Sequence, residues 1–110
     1  MALQRVIGSI FVKDHLAVQS VGFRTHLPVG DPVVIAEVFD QWEADEIVLA
    51  DITASRERRL PREDLLRRTM AAVRTPLTVG GGVKSVADVE LLLHQGADRV
   101  FINTALLHRV

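Results

Sequence analysis

The stretch Pro76-Leu77-Thr78-Val79-Gly80-Gly81-Gly82 decides the fold, because it opens a unit that the next twenty residues complete. A short apolar run enters three glycines. Ser85 then stands as the N-cap of a helix, with Asp88 at the capping-box position and Gly96 as its stop. Arg99-Val100-Phe101-Ile102-Asn103 comes next as a second apolar run. Strand, capped helix and strand with short returns make a βαβ unit, whose right-handed crossover joins parallel strands.

The same grammar extends toward the N-terminus. Glu46-Ile47-Val48-Leu49-Ala50-Asp51-Ile52 is a strand, and Asp31-Pro32 opens the helix before it, Asp31 as N-cap and Pro32 at the first helical position. Val34, Ile35, Val38, Phe39 and Trp42 fall at helical spacing and predict its apolar face. Pro61 with Glu63 and Asp64 starts another helix, with Leu65, Leu66, Met70, Ala71 and Val73 as its apolar face. Arg5 to Val12 has little polarity and reads as a strand buried on both faces, the habit of parallel sheets. From Lys13 to Gly30 no period holds, which predicts a long loop with room for a short hairpin. Thr53 to Arg59 reads as a polar loop, and Thr104 onward begins a last helix that is truncated. The order is βαβαβαβ: four parallel strands with alternating helices in a single domain over residues 1–110. A faint repeat runs through it, Ala44-Asp45-Glu46-Ile47-Val48-Leu49 matching Ala97-Asp98-Arg99-Val100-Phe101-Ile102. Either strand openings after helices look alike, or a βαβα quarter was duplicated.

Composition narrows the function. The chain has 110 residues, 48% hydrophobic and 25% charged, enough apolar material for one core. Thirteen Lys and Arg against 14 Asp and Glu give a net charge of −1, without the basic excess of a nucleic-acid or anionic-membrane surface. Without cysteine there is no disulfide framework and no thiolate metal site, and the expected compartment is the cytoplasm. No apolar run approaches the ~18 residues of a membrane span. His15, His26, His94 and His108 lack ligand spacing, so no metal is expected, nor any cofactor.

Two places could carry chemistry. Gly80-Gly81-Gly82 before a capped helix lets backbone N–H groups approach an oxyanion, and Asn103-Thr104 adds an amide and a hydroxyl if the strands are neighbours. A tight strand-to-helix turn explains the glycines equally well. Asp51 ends its strand where parallel α/β folds build sites, and is a candidate acid–base or ribose-binding group; a carboxylate bonded to nearby backbone N–H groups is the plain alternative. Arg56, Arg58, Arg59, Arg62, Arg67 and Arg68 are interleaved with Glu57, Glu63 and Asp64, which reads as a solvated face.

The runs Arg5-Val6-Ile7, Val12-Lys13-Asp14, Asp51-Ile52-Thr53-Ala54-Ser55, Thr78-Val79-Gly80-Gly81-Gly82 and Ile102-Asn103-Thr104 together resemble the N-terminal half of the cyclase subunits of imidazole glycerol phosphate synthase, from about Arg5 to Ala105. That resemblance implies half of a TIM (β/α)8 barrel from histidine biosynthesis. It implies phosphate binding at Gly82, Asn103 and Thr104, to which the glycine turn adds Gly81, and an active-site border at Asp51 and Ser55. It makes Lys13 to Gly30 a mobile loop with Phe23 as its aromatic. Arg5, Glu46 and Arg99 match a charged ring at the barrel bottom, where ammonia from a glutaminase partner enters. Three positions depart from the pattern, Arg99 the least, since the family has lysine there. Phe11 stands where the family has its catalytic aspartate, and a phenyl ring cannot transfer a proton; Gln19 replaces the loop lysine. Strand alternation turns Arg5, Ile7, Ser9 and Phe11 to the barrel interior, with Glu46, Val48, Ala50, Arg99, Phe101 and Asn103 beside them.

Half a barrel leaves an apolar inner face and two open sheet edges. A homodimer closing both edges by two-fold symmetry, a complementary half-barrel, or a longer chain would each cover them. Three functions are then open: a phosphate-binding half-barrel impaired in catalysis, a lyase active once paired with a second half and a glutaminase, and a pure assembly scaffold.

Overall fold

The computed structural model describes residues 5–21 and 25–102. One sheet runs through them in the order β3-β2-β1-β4-β5-β6, and its parallel part is β1 (Ile7–Lys13), β4 (Glu46–Asp51), β5 (Leu77–Gly80) and β6 (Arg99–Val100). Three crossovers carry α1 (Pro32–Gln41), α3 (Glu63–Ala72) and α4 (Val86–His94). The parallel sheet and alternating helices are those read from the sequence.

Alternation along the strands sorts the side chains as expected. Ile10, Val12, Ile47, Leu49, Leu77 and Val79 turn to the helices and build the core with Val33, Ala36, Leu65, Leu66 and Leu92. The opposite face carries Ile7, Ser9, Phe11, Val48 and Ala50, and it is left open. Gly8 belongs to the helix side for a packing reason: a Cβ there would come within 2.5 Å of the Phe39 ring.

Six expectations need correction. β1 is buried on one face rather than both, since Ile7 and Phe11 on its other face are 50% and 47% exposed, and β6 stops at Val100, short of Phe101 and Ile102. Lys13 to Gly30 is mostly a β-hairpin, not a loop: β2 (Leu16–Val21) pairs antiparallel with the end of β1 and with β3 (Thr25–Gly30). Asp14 and His15 make its two-residue turn with φ of 51° and 72°, the backbone of a type I′ turn. Upper β1 therefore has a neighbour on what was expected to be a free edge. Thr53 to Arg59 is not all loop either, since α2 (Ile52–Arg56) starts directly after β4. Pro61 precedes α3 rather than opening it; Arg62 is the N-cap, extended at ψ 134°. The apolar face of α1 is rotated: Pro32, Val33 and Ala36 are buried, whereas Val34 and Trp42 are 55% and 72% exposed. Trp42 packs edge-on against Phe39 instead, with centroids 6.2 Å apart.

The caps match the reading. Asp31 Oδ1 accepts the N–H of Val33 at 2.9 Å, and Ser85 Oγ accepts that of Asp88 at 3.1 Å. Asp88 returns its carboxylate to the N–H of Lys84 rather than of Ser85. The sequence repeat also has a structural counterpart. Asp45 donates its N–H to Val6 O at 2.8 Å while its Oδ2 accepts the Val6 N–H at 2.7 Å; Asp98 does the same to Leu77 at 2.9 and 2.8 Å.

Candidate functional site

A cleft of about 360 Å³ opens at the C-terminal ends of β1, β4 and β5. Its floor is Phe11, Ala50 and Phe101, and its walls come from α2 and from Gly81, Gly82 and Val83. Below it on the open sheet face lies a second hollow of about 300 Å³, walled by Ser9, Phe11, Val48, Ala50, Thr78 and Phe101. The two phenylalanines belong to both. Phe11 is 47% exposed, and Phe101 lies over Gly80, where a Cβ would collide with its ring. An apolar floor thus occupies the end of β1 where the resemblance leads one to look for an acid.

Asp51 belongs to the other face of β4. It is 3% exposed, its Oδ1 accepts the N–H of Ala54 at 2.9 Å, and Oδ2 lies 3.8 Å from Arg59 Nη1. This is the backbone-bonded alternative: the carboxylate caps α2. Ser55 and Arg56, from the last turn of α2, stand at the cleft wall.

The two inner glycines are fixed by their surroundings. Gly82 has φ +68°, and a Cβ there would overlap the Arg59 carbonyl oxygen and approach that of Ala54 to 3.0 Å. Gly81, at φ +129°, would put a Cβ 2.5 Å from the Asp51 carbonyl oxygen. Only glycine fits both the left-handed backbone and the close approach to the loop after β4. These residues bring the β5–α4 turn against α2, which a tight-turn reading requires and an anion cradle also uses. Asn103, Thr104 and Phe23 lie outside the described residues. Gln19 sits on β2, in register with Leu27.

At the N-terminal end of the sheet, Arg5 Nη2 lies 3.7 Å from Glu46 Oε1, and the Thr78 hydroxyl donates to the other oxygen of Glu46. Arg99 pairs in register with Thr78 and is exposed, without an ion pair among the described residues. The expected charged ring is therefore two paired residues plus a neighbour. Lys13 lies at the top of β1, and the hairpin turn after it is tied to α2: the Asp14 N–H donates to Thr53 Oγ1 at 2.8 Å. The sequence carried a signal for this in Asp14-His15, a pair able to adopt positive φ without glycine.

Among the described residues no group of three or more His, Cys, Asp or Glu gathers as a metal site, and no helix is long and apolar enough to cross a membrane. Parallel strands wound with helices on one side, open on the other, with a cleft at the strand C-termini, define a partial TIM barrel. Residues 5–110 match the model of the family described as "Histidine biosynthesis protein". The chain is 45% identical over 107 residues to the "Imidazole glycerol phosphate synthase subunit HisF" of Elusimicrobium minutum (strain Pei191), covering 97% of this chain and 43% of that relative. The chain belongs to the histidine biosynthesis protein family, and it spans less than half the length of this curated relative.

Proposed function

We propose that the chain is a HisF-like half-barrel of the cytoplasm, impaired in catalysis by itself, that covers its open face by pairing with a second copy and binds phosphate or a sugar phosphate at the rim. One observation carries the reading: Phe11, at the strand end where the family resemblance expects an acid, joins Phe101 on an apolar face open to solvent. An exposed apolar sheet face of this kind calls for a partner surface. Lower β1, from Ile7 to Ile10, pairs only with β4 among the described strands, and β6 is a two-residue edge. Both edges accept further parallel strands, and a two-fold dimer supplies them at once. Sedimentation equilibrium at micromolar concentration is expected to give a species of twice 12.2 kDa or larger. A single monomer would end the homodimer reading, and recruitment of a different half-barrel would replace it. Phe11→Asp is expected to shift the assembly toward monomer, because it places carboxylates on the covered face.

Phosphate binding is supported by Gly81 and Gly82 at the cleft wall together with the resemblance at Asn103 and Thr104. Chemical-shift titration with inorganic phosphate should perturb these residues, and Asn103→Ala should abolish the response. Equal binding by the variant would put the site elsewhere.

A second reading, a lyase completed by another half-barrel and fed ammonia by a glutaminase, is favoured by the Arg5–Glu46 pair at the N-terminal end of the sheet. Ammonia-dependent cyclase turnover by the chain alone would favour it over the first reading, and its absence is the expected result. A pure scaffold is separated from both by the phosphate titration.

A further inference from the structure

Among the described residues, two titratable residues line the rim cleft, Asp51, whose side chain turns to the other face of β4, and Arg56. Asp51 is buried and committed to the Ala54 N–H and to the side of Arg59. The arginines that form ion pairs have carboxylates to face: Arg5 has Glu46, Arg59 has Glu57 and Asp51, and Arg68 has Asp31. Arg56 is exposed at the cleft and has no carboxylate within ion-pair distance among the described residues. Its neighbour Glu57 is taken by Arg59 Nε at 2.8 Å. A guanidinium left unneutralised beside an apolar floor is a fork for a bidentate anion. The floor of Phe11, Ala50 and Phe101 offers no polar side-chain group for the rest of the ligand.

We propose that Arg56 is the anion anchor of the rim cleft and that the ligand is a phosphate monoester with an apolar or aromatic body, the phosphate on Arg56 and the body on the rim side of Phe11 and Phe101, which stays open at the strand C-termini when a second copy covers the face below. The assignment rests on the proposed phosphate binding at the rim and adds to it the residue that selects the charge and the surface that selects the body. The Ser55 hydroxyl, on the same wall, is a second donor within the cleft lining. Arg67, exposed on α3 and absent from the cleft, is the internal control.

The test is calorimetric or chemical-shift titration of the full chain with phenyl phosphate and with inorganic phosphate. Wild type should bind phenyl phosphate more tightly than inorganic phosphate. Arg56→Gln should weaken phenyl phosphate about tenfold or more, Arg56→Lys should fall between because it keeps the charge and loses the fork, and Arg67→Gln should change nothing. Wild-type affinity in Arg56→Gln, or equal loss in Arg67→Gln, overturns the anchor while leaving phosphate binding intact. A wild type that binds neither compound removes the phosphate reading and the anchor with it.

Discussion

The crossover from β1 through α1 to β4 and the crossover from β5 through α4 to β6 close alike and open differently. At their closing ends the same bonds recur: Ala44 N–H to Phe39 O and Ala97 N–H to Leu92 O, both 3.1 Å, then the paired bonds of Asp45 to Val6 and Asp98 to Leu77. Both turns need positive φ, at Glu43 (60°) and Gly96 (120°). At their opening ends the first unit carries its strand past Phe11 to Lys13 and emits a hairpin, whereas the second makes a tight turn through Gly81 and Gly82. The difference teaches where each end is constrained. At these two joints on the N-terminal edge of the sheet the same bonds lock one strand to the next; loops at the C-terminal edge shape the cleft, and there the units diverge.

The sharpest way to break this contrast is at the two glycines before the helices. Gly82→Ala forces a Cβ into the Arg59 carbonyl at a left-handed φ, and unfolding in urea should show a loss of about 3–5 kcal/mol. Gly30→Ala meets nothing within 4 Å and bears only its φ of +140°, so about 1–2 kcal/mol is expected. Equal losses would mean that the close approach at Gly82 is not what requires glycine. The matching joints can be sharpened next. Asp98→Ala leaves the N–H of Leu77, a fully buried residue, without its partner, for about 2 kcal/mol; Asp45→Ala strands the N–H of exposed Val6, for about 0.5 kcal/mol. The reverse order would show that the two joints are not equivalent.

The smallest effect is present at neutral pH and is lost in acid. Asp40 Oδ1 accepts the Thr75 hydroxyl and the N–H groups of Arg74 and Thr75, where the corresponding residue of α4 is Leu93. The Thr75 hydroxyl bond, then the two backbone bonds, hold the Asp40 carboxyl below its ordinary 3.8. A lowered folded pKa means that this stabilisation is complete above the unfolded value and fades as pH falls through the folded one. Wild type and Asp40→Asn should therefore differ in melting temperature at neutral pH and converge below about pH 4. A gap that persists at pH 2 would assign the difference to packing.

Legibility in the sequence divides along the same line. Asp31, Ser85 and the alternation along β1 and β4 were legible because capping and strand period are local rules that the core enforces. The α1 face was misjudged because Val34 and Trp42 keep helical spacing with the true core residues, and nothing local says which side of the helix meets the sheet. The hairpin was legible only as an option within a long loop because its turn uses Asp14-His15 in place of a glycine, and α2 was not legible because five residues carry no period. Glycines at 81 and 82 were visible, but their reason, carbonyl oxygens of Asp51 and Arg59 pressed against them, is a contact between distant segments.

The hairpin has a consequence for the stagger of any closed barrel. β2 occupies the edge of β1 from Phe11 to Lys13, so a strand arriving on that side finds only Ile7 to Ile10 and stops where Leu16–Val18 begins. A one-residue slip in such an addition would exchange the inward and outward side chains of the newcomer. A fixed end stop removes that freedom. In such a closed barrel the hairpin would act as a ruler, setting the offset between the first strand and its incoming neighbour and, through it, the tilt at which the ring can close.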